Sequence, residues 1–284
     1  MTDHIDEFES IFRRAEKEQF SCVDIPVGRV TLVSDGSLDH AQIVKNDLCR
    51  FIGRLDAVKS WRLITGDDYH TAGELVALVD QQQTDLLVTH RHLKETSRVP
   101  QYSLGVYLDV LTQMTSIPVL VLPGTSAHPM RVADRDCNRV MVVADHISGD
   151  NRLINYGAAM CRAGGTMWLC HVEDDRVFER YMQAIARIPE IDSGDARNFI
   201  ENQLLKEATD FIEVCSRVIH EEGPDIRVEP YVGRGHYLRD YCSLIRDHDI
   251  DLLVLNTKDD DQLAMHGRAY SLSVELTDVS MMLL

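Results

Sequence analysis

The sequence predicts an α/β protein built from two related halves. The prediction rests on an internal repeat, on short apolar runs that lead into helical stretches, and on a length that suits two cores. Arg29-Val-Thr-Leu-Val-Ser-Asp35 recurs as Arg139-Val-Met-Val-Val-Ala-Asp145, and Asp85-Leu-Leu-Val88 recurs as Asp251-Leu-Leu-Val254. Duplication of one domain explains both recurrences. Each run is apolar, ends in polar residues and precedes a helical pattern, as buried parallel strands with crossover helices do. With 284 residues, 44% of them hydrophobic, the chain can fill two cores and does not read as disordered.

Taken in order, half one reads as strand 29–34, helix 40–53, strand 60–65, helix 72–83, strand 85–89, helix 103–115 and strand 118–122. Half two reads as strand 139–144, helix 151–163, strand 166–172, a long helix within 195–222, strand 226–232, helix 236–247, strand 251–256, helix 268–277 and strand 279–284. The long helix follows from Ile200, Leu204, Ala208, Phe211, Cys215 and Val218, which share one face at helical spacing. That stripe reads as packing rather than ligand binding. The first strands lie 110 residues apart (29 to 139), whereas the Asp-Leu-Leu-Val strands lie 166 apart (85 to 251). Half two therefore carries the length of an extra strand and helix with their connections, and half one is predicted to lack one βα unit.

Residues 124–137 mix Gly, Pro and charge, so 125–137 reads as a linker between a domain at 29–124 and one at 138–284. Residues 1–28 read as an N-terminal helical arm, in which Phe8, Ile11, Phe12 and Ala15 form an apolar stripe that needs a surface to cover it. Its own body is the expected surface, and a partner protein is the alternative.

A formal net charge of −17 sets the overall field against phosphate backbones and anionic lipid headgroups, so nucleic acid is not an expected partner. No apolar run reaches membrane-spanning length and the acidic start lacks the pattern of a secretion signal. A cytoplasmic location without membrane insertion is expected. Seven scattered cysteines with no C-x-x-C pair read as reduced thiols, mostly filling the core.

A family likeness is carried by several stretches. Val30-Thr-Leu-Val-Ser-Asp-Gly-Ser37 resembles the first strand of universal stress proteins, and Leu169-Cys-His-Val172 resembles their second. Gly235 to Val254 follows their third helix and fourth strand, with a 16-residue step from Gly235 to Asp251. In half one, Glu74 precedes Asp85 by 11 residues just as Asp240 precedes Asp251, so the missing unit is expected to be the second strand and helix. The resemblance covers residues 29–123 and 139–284. It implies two Rossmann-like, doubly wound parallel sheets in tandem, of the adenine nucleotide alpha hydrolase-like kind. Since family dimers pair through the last strand, it also implies that 118–122 and 279–284 pair within the chain, with a homodimer of the whole chain left open.

In nucleotide-binding members the strand ending Asp-Leu-Ile-Val runs into a loop, G-x2-G-x9-G-[ST], that holds the ATP phosphates. Glycines let backbone N–H groups approach the phosphates, and the following helix adds its positive end. Half one keeps only Gly105, and Val106 stands where the family has Ser or Thr. Its loop is basic, with His90, Arg91, His92 and Lys94, and Asp35 keeps the position used near adenine and ribose, followed by Gly36 and Ser37. These residues are the candidate nucleotide or anion site. Half two offers a degenerate counterpart at Asp145, Val172, Asn256, Gly267 and Arg268, where Asp259, Asp260 and Asp261 put negative charge in place of phosphates. One such charge 4 Å from a phosphate charge costs roughly 4 kcal/mol at an effective dielectric of about 20.

His90-x-His92 and the Asp259–Asp261 run could each begin a metal site, but neither has a sequence-linked third ligand. Cys170 and His171 alternate on a strand and so face opposite layers. No G-x-S-x-G elbow, Walker lysine loop or H-E-x-x-H occurs. The expectation is a non-catalytic stress-response or regulatory protein without a cofactor, not binding ATP and acting through a protein partner or small ligand. The alternatives are a nucleotide or anion sensor using the basic loop of half one, and a degenerate ATP- or metal-dependent enzyme.

Overall fold

The computed structural model describes residues 20–81, 83–95, 103–124, 132–144, 151–188, 193–257, 265 and 267–284. The N-terminal stripe at Phe8, Ile11, Phe12 and Ala15, Asp145, residues 125–131 of the expected linker and Asp259–Asp261 lie outside them.

Half one runs β1 (Arg29–Val33), α1 (Leu38–Phe51), a 3₁₀ turn (Gly53–Ala57), β2 (Ser60–Ile64), α2 (Ala72–Asp80), β3 (Leu86–His90), α3 (Val106–Met114) and β4 (Val119–Leu122). Half two runs β5 (Arg139–Val143), α4 (Asn151–Met160), β6 (Thr166–Asp174), α5 (Asp175–Ile185), α6 (Ser193–Glu222), β7 (Arg227–Gly235), α7 (Tyr237–Asp247), β8 (Leu252–Leu255), α8 (Gly267–Glu275) and β9 (Ser280–Leu283). The elements match those read from the sequence, with α5 added. Asp174 starts that extra helix by accepting the backbone N–H groups of Arg176 and Val177.

The nine strands of the described residues form one sheet in the order β2-β1-β3-β4-β9-β8-β5-β6-β7. Pairing is parallel throughout except between β4 and β9, where Val119, Leu120 and Val121 oppose Leu283, Met282 and Met281 in antiparallel register. The last strand of each half thus covers the other's edge, which removes two apolar edges that would otherwise invite aggregation.

Alternation along the strands sends side chains into two apolar layers. One layer holds Val30, Leu32, Val88, Leu120, Val140, Val142, Val254 and Met282 beneath α1, α4 and α6. The other holds Val33, Leu87, Val121, Met141, Val143, Leu255 and Met281 beneath α2, α3, α7 and α8. Both layers run through both halves, so the core is continuous across the β4–β9 pairing.

Half one is indeed one unit short, but the missing piece differs from expectation. β2 lies beside β1, with Arg29 opposite Ser60, just as β6 lies beside β5, with Arg139 opposite Thr166. The second strand is therefore present. What half one lacks is the following helix and the outermost strand, the counterparts of α6 and β7, because residues 65–71 lead directly from β2 to α2. Glu74 and Asp240 show that α2 matches α7. Each carboxylate accepts the N–H four residues earlier, from His70 at 2.7 Å and His236 at 2.9 Å, and so caps the same end of the same helix.

The repeated aspartates also share one role. Asp85 accepts the N–H groups of Gly28 and Arg29 at 2.9 Å, and Asp251 accepts those of Asn138 and Arg139 at 3.1 and 2.9 Å. Each ties the start of its own strand to the start of the central one. The end of the expected linker is not free: Cys137 is fully buried and Arg135 pairs with Asp249 and Asp251.

Candidate ligand site at the first switch point

In a doubly wound sheet a crevice opens where neighbouring strands send their connections in opposite directions, and ligands bind there outside the strand ends. In half one this point lies between β1, which leads to α1, and β3, which leads to α3. Asp35, Gly36, Ser37, His90, His92, Lys94, Gly105 and Val106 lie around it. Among the described residues its polar side chains are paired with one another or with the backbone.

The loop after β3 reads from the sequence as a basic anion site. Instead His90 and His92 are 1% and 7% exposed. His90 Nε2 lies 3.0 Å from Asp35 Oδ1 and its Nδ1 lies 2.7 Å from the carbonyl oxygen of Arg91. Each ring nitrogen faces an acceptor, and both can donate together only as the imidazolium. The other oxygen of Asp35 accepts the backbone N–H of Lys94 at 3.2 Å. Burial pushes the Asp35 carboxyl up, but the hydrogen bond and charge of His90 and the N–H of Lys94 outweigh it and leave it below its usual range.

The remaining basic groups are engaged as well. Lys94 Nζ donates to the carbonyl of Tyr69 and sits 4.3 Å from the centre of that ring. His92 Nδ1 lies 2.9 Å from Glu95 Oε2. Arg91, expected beside Asp35 and Gly105, turns to half two, where it donates to Val274 O at 3.2 Å and to Leu276 O at the C-terminal end of α8. It is 2% exposed, and burial brings its guanidinium down to about 10, offset in part by Asp278. A cation at a helix C-terminus satisfies carbonyls that lack intrahelical partners and complements the helix dipole.

Glu95, which the sequence reading did not single out, completes the arrangement. Its Oε1 accepts the N–H of Val106 at 2.8 Å, at the first turn of α3. That N-terminus is the place where the family likeness would put a phosphate, and the chain supplies its own carboxylate there. Gly105 is retained for a steric reason. Its φ is +90°, and a Cβ there would meet His92 Cα at 2.8 Å and His92 N at 2.9 Å. Ser37 caps α1, and Gly36 N–H donates to Ser34 Oγ at 3.0 Å. Two buried hydroxyls at this end of the sheet, Tyr69 Oη and Thr89 Oγ1, have no partner among the described residues. Being uncharged, they suit water or a neutral group better than a polyphosphate.

At the second switch point, between β5 and β8, Val172 is buried and His171 Nδ1 lies 2.7 Å from Ala144 O. Thr257, which follows Asn256, donates through both N–H and Oγ1 to Leu284 O at 2.8 Å. Gly267 opens α8 in open space, and Arg268 sits 5.5 Å from the centre of the Tyr237 ring. Among the described residues no group of three or more His, Cys, Asp or Glu could hold a metal ion. No helix of the described residues is long and apolar enough to cross a membrane.

No family model and no curated protein matches the sequence. Solved structures do match in fold. A protein of Pseudomonas aeruginosa UCBPP-PA14, provisionally named a universal stress protein, aligns at 11% identity with a TM-score of 0.50, over 91% of this chain and 93% of its own. A universal stress protein of Archaeoglobus fulgidus DSM 4304 aligns at 13% identity and 0.49, over 90% and 85%. The first of these matches shows a shared α/β fold across nearly the whole chain.

Proposed function

We propose that this chain is a non-catalytic regulatory protein of the universal stress protein type, which acts through recognition of a protein or small ligand rather than by reading ATP. One observation carries the reading: at the first switch point the phosphate position at the N-terminus of α3 is occupied from within by Glu95, while Asp35 is paired with His90. A nucleotide would have to displace the Glu95 carboxylate from that N-terminus. It would also find Arg91 committed to α8 and Lys94 committed to Tyr69. A phosphate brought within 4 Å of one retained carboxylate meets a repulsion of roughly 4 kcal/mol at an effective dielectric of about 20. The loop has no run of glycines whose N–H groups could offset that cost.

The same packing argues against catalysis. A general base or nucleophile needs access to a substrate atom, whereas His90, His92 and Arg91 are buried against fixed partners. Native mass spectrometry of freshly purified protein tests the reading. The expected spectrum holds the bare chain mass with no adenine nucleotide, and a stoichiometric ATP or ADP adduct would contradict it.

A further inference from the structure

The outer edge of half one is bare in a way that half two is not. In half two, α6 packs over β6 and β7 with Ile212, Cys215 and Ile219 buried in the first apolar layer. In half one, β2 stands at the sheet edge, and no counterpart of α6 covers it among the described residues. Beside it is an open pocket of about 1070 Å³ in which Ile43, Cys49, Val58 and Trp61 share the lining with charged side chains, from Lys45 and Arg50 to Asp136 and Arg162. Ile43 is 58% exposed, and Cys49, Val58 and Trp61 are only half-buried although they pack against the first layer. Lys45 Nζ lies 5.5 Å from the Trp61 ring centre.

We infer that this pocket is the seat of the chain's own N-terminal segment, residues 1–19, whose apolar stripe stands in for the missing helix. Three observations select this occupant. The described chain begins at Phe20, which is 5% exposed and belongs to the same apolar layer as Trp61, Val58 and Cys49, so the preceding residues join the body on the face that the pocket opens. From there residues 21–25 are pinned. Ser21 and Val23 donate N–H groups to Asn151 and Asn155 of α4, and Arg54 holds Ile25 O, so the segment has a fixed point of departure. The 19 residues also carry Phe8, Ile11, Phe12 and Ala15 at helical spacing. As a helix they would span roughly 28 Å, enough to cross an α1–β2 groove.

The chain has two tryptophans, so a Trp168→Phe background leaves Trp61 as the sole indole. In that background the full-length parent is compared with a Phe8→Ser, Ile11→Ser, Phe12→Ser variant, after circular dichroism shows that both fold alike. The expected result is a red-shifted Trp61 emission and stronger acrylamide quenching in the variant. Faster alkylation of Cys49, read by peptide mass mapping, gives the same comparison independently of the Trp168 substitution. Identical emission, quenching and alkylation in the two proteins would overturn the inference. So would a parent that sediments as a dimer while the variant is monomeric, since the segment would then seat on a second copy.

Discussion

Glu95 Oε1 accepts the backbone N–H of Val106 at 2.8 Å, which places a carboxylate of the chain at the first turn of α3. Capping bonds of this kind contribute about 0.5–2 kcal/mol, and a negative charge at a helix N-terminus adds a few tenths or more. Glu95→Ala is expected to lower stability by about 1–2 kcal/mol in urea denaturation. Added phosphate should restore part of the loss in the variant and have little effect on the parent. An unchanged midpoint would show that the contact contributes nothing.

Asp35 gives the site a dependence on acid. Its pKa lies below the unfolded value, so it contributes stability that is present above the ordinary aspartate range near pH 4 and is lost as pH falls through the lower folded value. Asp35→Asn should be less stable than the parent at pH 7, with the gap closing as pH falls below about 4. Denaturation at stepped pH reads this directly. A constant gap between the two proteins over that range would contradict it.

Arg91 links the two halves. Its guanidinium, buried 183 and 185 residues away in sequence from the carbonyls it serves, holds the C-terminal end of α8 against the loop of half one. Arg91→Met keeps much of the apolar stem but leaves buried carbonyls without a donor, a cost of about 1–3 kcal/mol for each unsatisfied group. The expected effect is a loss of about 2–4 kcal/mol by calorimetry or denaturant titration. Hydrogen exchange should rise at residues 274–284 as well as at 90–95. Faster exchange confined to 90–95 would show that the link does not hold the halves together.

Much of the fold was legible because buried parallel strands write themselves as apolar runs, and duplication wrote the pattern twice. Asp85 and Asp251 mark strand starts in sequence because each caps the start of the neighbouring central strand through two backbone N–H groups. The identity of the missing unit was not legible. Residues 60–64 resemble no part of half two closely, and only their pairing with β1 shows that they fill the second-strand place. The separate helix α5 was overlooked because it directly continues β6, with Asp174 serving both as strand end and N-cap.

The candidate site was legible in position but not in character. The topological switch point placed Asp35, His90 and Gly105 together, and the run of His90, Arg91, His92 and Lys94 read as net positive charge. Sequence could not show that each of these groups has a partner: Asp35 for His90, Glu95 for His92, the end of α8 for Arg91 and Tyr69 for Lys94. The one available signal was Glu95 itself, an acid placed ten residues before the retained Gly105, and its role depends on a loop fold that brings it back to α3.

Isothermal titration of the full-length protein with ATP and magnesium tests the central claim most directly. If the chain's own Glu95 carboxylate fills the phosphate position, the titration shows no binding at micromolar affinity, and Glu95→Ala binds no worse than the parent. Stoichiometric binding with a micromolar dissociation constant in the parent would contradict the account, because Glu95 would then have to yield its place at the α3 N-terminus to the phosphates.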